Sequence, residues 1–104
     1  IEGKPEKVRK YAERARPGEN PQHYDEYAAM IESVDESVGR VMAELEKHQL
    51  TENTVVIFTA DNGGVCSREW KNRPVTSNLP LRAGKGHVYE GGIRVPTVVS
   101  WRSR

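Results

Sequence analysis

The sequence is short of several things that small proteins use to hold themselves together. It carries one cysteine, Cys66, in 104 residues, so no disulfide can form within the chain and a disulfide scaffold is excluded. No run approaches the ~18 apolar residues that a membrane-spanning helix needs. Hydrophobic residues make up 36% and aromatic residues 7% of the chain, and mean hydropathy is −0.75. The opening Ile1-Glu2-Gly3-Lys4 is charged almost at once and does not read as a signal peptide. The length suits one compact domain, but so polar a composition raises the question of whether the chain is a whole domain or a piece of one. Net charge is also nearly absent, at +1. That balance conceals an uneven layout: residues 1–16 carry +3, residues 17–53 carry −7 and residues 54–104 carry +5. A basic C-terminal half suits an anionic partner, and equally a solvated surface of alternating patches.

What is present is patterned. Val8, Tyr11, Ala12 and Ala15 recur at helical spacing and predict a helix from Pro5 to Arg16, stopped by Pro17-Gly18. A longer helix follows, with Asn20 as a cap and Pro21 at its first position. Its apolar stripe runs through Tyr24, Tyr27, Ala28, Ile31, Val34, Val38, Val41, Met42 and Leu45. Asp35 flanks the stripe and reads as a hydrogen-bonded structural carboxylate. Gly39 costs roughly 1 kcal/mol inside a helix and so predicts a close backbone approach. After a turn at Thr51-Glu52-Asn53, Thr54-Val55-Val56-Ile57-Phe58-Thr59 is β-branched or aromatic without alternation. That is the pattern of an interior strand, usually in a parallel sheet covered by helices, and it places the chain in the α/β class. A second strand is expected between Ile93 and Trp101. Between the strands, Ala60 to Gly92 holds six glycines and two prolines, a length of loop that is usually functional or disordered.

Candidate chemistry gathers in that loop. In open α/β sheets ligands bind beyond the carboxyl ends of strands, and the first strand runs directly into Asp61-Asn62-Gly63-Gly64. Two readings stay open. Asp and Asn-Gly are common turn residues; a carboxylate beside an amide carbonyl also offers hard oxygen ligands for Ca²⁺ or Mg²⁺. Lys85 stands between two glycines, as a cation suited to a phosphate or sulfate oxyanion or as a solvated loop lysine. Its surroundings fit neither a P-loop nor a dinucleotide fingerprint. His23, His48 and His87 lack zinc-ligand spacing. Cys66 has Arg68 and Lys71 near in sequence but no paired base, and reads as a bystander thiol.

Taken in order, Tyr27 to Arg40, then Thr54 to Gly64, then Gly84-Lys85-Gly86-His87-Val88-Tyr89-Glu90-Gly91-Gly92-Ile93-Arg94-Val95-Pro96, the chain closely resembles the middle of a type I sulfatase of the alkaline-phosphatase superfamily, over roughly residues 22–101. The specificity lies in the sequence of pieces: helix, strand, Asp-Asn-Gly, then Lys-Gly-x-x-Tyr-Glu-Gly-Gly. The resemblance implies an alkaline-phosphatase-like α/β fold with a long helix, an interior parallel strand, a long active-site loop and a second strand. It implies Asp61 and Asn62 as calcium ligands (magnesium less so) and Lys85 as a contact to the substrate sulfate, with Asp35, Gly39, Glu90, Gly91 and Gly92 structural. The family's nucleophile, a formylglycine made from a Cys/Ser-x-Pro-x-Arg motif, is not matched here, because Arg68 and Trp70 follow Cys66 where proline and arginine would stand.

The expectation is therefore that residues 1–104 form one segment of a sulfatase catalytic domain and are inactive alone. The nucleophile region and C-terminal subdomain would be supplied elsewhere, and the location would be periplasmic, secreted or lysosomal. The expected partners are an aryl or carbohydrate sulfate ester and the remaining segments of the same domain, with no nucleic acid and no membrane span. The alternatives are a phosphodiesterase or phosphonate hydrolase of the same superfamily, and a non-catalytic polyanion-binding module using Arg68, Lys71, Arg73, Arg82 and Lys85.

Overall fold

The computed structural model describes residues 2–14, 24–66, 69–70 and 73–102, the pairs 69–70 and 73–74 by backbone alone. Among the described residues, three helices and four short strands follow one another: α1 (Pro5–Arg14), α2 (Asp25–Lys47), β1 (Val56–Thr59), β2 (Glu69–Trp70), β3 (Arg73–Pro74), α3 (Glu90–Ile93) and β4 (Thr97–Ser100). A 3-10 turn at Thr51–Asn53 joins α2 to β1. Thr54 closes that turn by donating its hydroxyl to the Leu50 carbonyl at 2.7 Å, so the strand starts two residues later than its β-branched run.

α2 begins at Asp25, not at Pro21, because Tyr24 is extended (φ −116°, ψ 105°) and ends the helix there. Asn20, Pro21, His23, the Pro17-Gly18 stop and the last turn expected of α1 lie outside the described residues. At 23 residues, α2 is about 34 Å long. α1 docks on it through a mixed contact. A Cβ on Gly3 would meet the Ala29 Cβ at 2.8 Å, and Ala29 is fully buried. Lys7, at 7% exposure, reaches across to Glu36 at 2.6 Å and to the Ser33 hydroxyl at 3.3 Å. Lys10 pairs with Glu32 at 2.8 Å. Apolar spacing had pointed to Ala12 as part of the contact, but Ala12 is exposed. The short alanine face is replaced by ion pairs, with the Lys7 stem lying along α2.

The sheet departs from the expected arrangement in one respect. β1 pairs with β4 antiparallel, in the register Val56↔Ser100, Ile57↔Val99, Phe58↔Val98 and Thr59↔Thr97, so the interior parallel strand does not appear as such. Among the described residues this sheet has two strands, and the apolar run that predicts burial on both faces is left open. Ile57 is 63% and Val99 is 62% exposed. The α2 stripe faces β1 across a groove of about 540 Å³ lined by Val34, Val38, Val41, Met42, Ile57 and Phe58. Asp35 is exposed, with no hydrogen-bond partner among the described residues, and nothing lies within 4 Å of a Cβ built on Gly39. The structural contacts expected of both are therefore not made among the described residues.

Candidate functional site

β1 delivers the chain into residues 61–64, and its last residue is tied to the neighbouring strand by a hydroxyl pair, Thr59 to Thr97 at 2.9 Å. Beyond the strand end the segment is held by backbone. The Gly63 N–H donates to the Gly92 carbonyl at 2.9 Å, the Lys85 N–H to the Gly64 carbonyl at 3.0 Å, and the Gly91 N–H to the Arg82 carbonyl at 2.9 Å. These bonds draw together three stretches far apart in sequence: 61–64, 82–85 and 91–92.

Such close approach requires glycine. A Cβ on Gly63 would run into the Gly91 carbonyl, and one on Gly91 into the Ala83 carbonyl. Gly84, Gly91 and Gly92 are buried. The two glycines of Asp-Asn-Gly-Gly and those of Tyr-Glu-Gly-Gly are thus complementary halves of one junction.

Asp61 lies at the rim, exposed, and its carboxylate has no ion-pair partner among the described residues. Asn62 is half-buried, and its Oδ1 is fully buried with no hydrogen-bond partner among the described residues. A buried amide oxygen left unpaired costs free energy unless something else satisfies it. The Asp61-Asn62 pair thus presents one free carboxylate and one buried, unsatisfied carbonyl oxygen, both hard donors suited to a divalent cation. No group of three His, Cys, Asp or Glu side chains among the described residues could hold a metal ion.

Lys85 sits at the tip of a turn closed by the His87 N–H on the Gly84 carbonyl at 3.1 Å. Gly86 takes φ +88° at the third position, as a type II turn demands. The Lys85 side chain is exposed and unpaired among the described residues. α3 follows as a single turn, with Glu90 and Arg94 pairing at 3.1 Å on its surface.

The structure thus places Asp61, Asn62 and Lys85, all singled out from sequence, on one knitted cluster of loops. Cys66 belongs to the packing of that cluster: its sulfur would lie 2.7 Å from a Cβ on Gly84. Of the five bases considered for a polyanion site, Arg68 and Lys71 lie outside the described residues, and Arg73 is described by backbone alone. Arg82 is laid over the Tyr89 ring at 3.7 Å. His48 sits far along α2's C-terminal end, 3.4 Å from Glu44. Sequence reasoning missed Asn78, whose carboxamide bonds Gly64 and Ala83. The only signal was its place in a polar loop.

The comparisons with known proteins give the class of this α/β segment. The Sulfatase family model matches residues 3–104, and the chain belongs to that family. It is 39% identical over 97 residues to a sulfatase of Formosa agariphila, covering 85% of this chain and 16% of that one. It is 42% identical over 77 residues to the steryl-sulfatase of Rattus norvegicus, covering 72% of this chain and 13% of that one. It is 35% identical over 81 residues to an N-acetylgalactosamine-6-O-sulfatase of Bacteroides thetaiotaomicron, covering 72% and 16%. Among solved structures, Ps i-CgsB in complex with k-i-k-neocarrahexaose superposes with a TM-score of 0.75 at 33% identity, over 96% of this chain and 20% of that one. The α/β fold class of the alkaline-phosphatase-like sulfatases is borne out. The chain spans about a sixth of the length of the curated relatives. Sulfatases work with a metal ion and a formylglycine. No helix among the described residues is long and apolar enough to cross a membrane.

Proposed function

We propose that this chain contributes part of the active site of a sulfuric ester hydrolase: two ligands of a calcium ion and one sulfate-binding cation. The observation that carries this reading is the junction itself. Backbone hydrogen bonds at Gly63 and Gly64 tie the residues that follow Asp61-Asn62, whose Asn62 Oδ1 is buried and unpaired among the described residues, to the turn that presents Lys85.

The residues fit a hard cation. Asp61 would supply a charged oxygen and Asn62 a neutral one, and calcium tolerates such mixed oxygen sets. When bound, the ion supplies positive charge beside the sulfate and the nucleophile. The remaining roles belong to the chain's own residues. Asn62 is held by the glycine junction, so its donor atom is in place before any ligand arrives. Lys85 projects from a turn whose backbone is fixed at Gly64, Gly84 and Gly86, and its ammonium meets the negative charge of the sulfate ester oxygens. A preorganised cation of this kind stabilises charge that grows in the transition state. The nucleophile, a formylglycine, would come from a Cys/Ser-x-Pro-x-Arg segment not contained in this sequence, so the 104 residues alone would not turn over substrate. Aryl or carbohydrate sulfate esters are the expected substrate class.

The test is hydrolysis of an aryl sulfate and of the matching aryl phosphate by the complete protein carrying this segment. Sulfate ester cleavage should predominate and be lost with a calcium chelator. Lys85→Ala should lower kcat/KM by roughly 10²–10³-fold, the scale of losing one preorganised charge-stabilising group. Preferential cleavage of the phosphate, or an unchanged rate for Lys85→Ala, would contradict the reading.

A further inference from the structure

We infer that Asn78 is a positioning residue: its carboxamide sets where Asn62 and Lys85 stand relative to each other. This inference rests on the function proposed above for those two residues.

The geometry is specific to an amide. Asn78 Oδ1 accepts from the Gly64 N–H at 3.2 Å, while Nδ2 donates to the Gly64 carbonyl at 2.9 Å and to the Ala83 carbonyl at 3.0 Å. One side chain thus satisfies both polar groups of Gly64, two residues after Asn62. It also grips the chain at Ala83, two residues before Lys85. The Gly64 carbonyl is in turn the acceptor for the Lys85 N–H at 3.0 Å and the Cys66 N–H at 3.1 Å. Ala83 is held at φ +61°, a left-handed conformation that a residue with a Cβ adopts only against steric resistance. The bond from Asn78 to its carbonyl helps to retain it. The Asn78 side chain bonds Gly64 and Ala83, not the proposed metal ligands or the oxyanion contact. It acts through Gly64, the atom cluster shared by both arms.

An aspartate at 78 is nearly isosteric but electronically wrong. Its carboxylate can still accept from the Gly64 N–H, but the two-donor end becomes an oxygen facing two carbonyl oxygens. Protonation would return one donor. Asn78→Asp therefore carries a pH signature that loss of packing alone would not.

The test uses the complete protein, well below its melting temperature. Asn78→Ala should lower kcat on an aryl sulfate by about 10–100-fold, the scale of an ångström-sized misplacement, and raise the calcium concentration for half-activity. Deuterium uptake in peptides spanning residues 60–66 and 82–88 should quicken by about tenfold, the equivalent of one lost hydrogen bond. The deficit of Asn78→Asp relative to the parent should shrink as pH is lowered. A folded Asn78→Ala with parental kcat, KM and calcium dependence overturns the inference. If Asn78→Ala does not fold, a pH-independent deficit in Asn78→Asp overturns it instead. If the parent itself cleaves no sulfate ester, the proposed function fails. Deuterium uptake then decides Asn78 separately: faster exchange in both peptides supports the clamp, and unchanged exchange removes it.

Discussion

Two regions of the chain solve the problem of burying themselves in opposite ways. The loop junction at residues 61–64, 78–85 and 91–92 is held together by contacts among the described residues, with Asn62 Oδ1 left unpaired among them. Its glycines are packed, its backbone groups bond one another, and Asn78 bonds Gly64 and Ala83. The face formed by β1, β4 and the α2 stripe is the reverse, rich in Val, Ile and Phe and largely open to solvent. The region that resembles ordinary core is unfinished, and the region that resembles loop is finished. The glycine-rich loop is therefore the rigid part of the chain's contribution to a site, and the sheet is where the rest of a sulfatase domain would be expected to add cover.

The largest effect should come from breaking the finished region. Gly91→Val places a branched side chain where even a Cβ meets the Ala83 carbonyl. A cost of about 3 kcal/mol or more is expected, at the upper end of overpacking penalties, read as a lowered Tm of the complete protein.

The unfinished region should respond according to its context. Ile57→Ser in the 104-residue chain removes an exposed side chain and should change stability by less than about 0.5 kcal/mol. In the complete protein the same change should cost about 2–4 kcal/mol if the face is covered there. Equal small effects in both would show that the face stays open.

The smallest effect concerns α1. Hydrogen bonding from Lys10, and then from Tyr11, holds the Glu32 carboxyl below its ordinary value. Hydrogen bonding from Lys7 does the same for Glu36. The bond to Glu32 raises the Tyr11 hydroxyl in turn. Because both carboxyls are lowered in the folded state, their contribution is present above the ordinary glutamate range and is lost as pH falls through the lowered values. Docking of α1 on α2 should loosen in acid, and Glu36→Gln should flatten that dependence. Both are readable as protease sensitivity of residues 2–14 against pH.

How far the sequence could be read follows the same division. The helix stripe and the β-branched run are periodic signals, and both elements form, although Tyr24 starts α2 later and Thr54 starts β1 later than expected. Asp61, Asn62 and Lys85 were legible because a strand end and a glycine-flanked cation are local features. Strand direction was not legible, since an apolar run without alternation bears on burial, not on the orientation of the neighbour that β1 has among the described residues. Lys7 escaped because helical spacing scores apolar residues, and its burial depends on Glu36 across a helix pair. Asn78 escaped because its three bonds run to backbone groups 5 and 14 residues away, and backbone partners leave no mark in the side-chain pattern.

The central claim is that Asn62 Oδ1, buried and unpaired among the described residues, is one of the atoms that hold a calcium ion. Calorimetric titration of calcium into the complete protein and its Asn62→Ala variant tests it most directly. A dissociation constant raised at least about tenfold in the variant, with the fold retained, is the predicted result; equal affinity in the two proteins would contradict it.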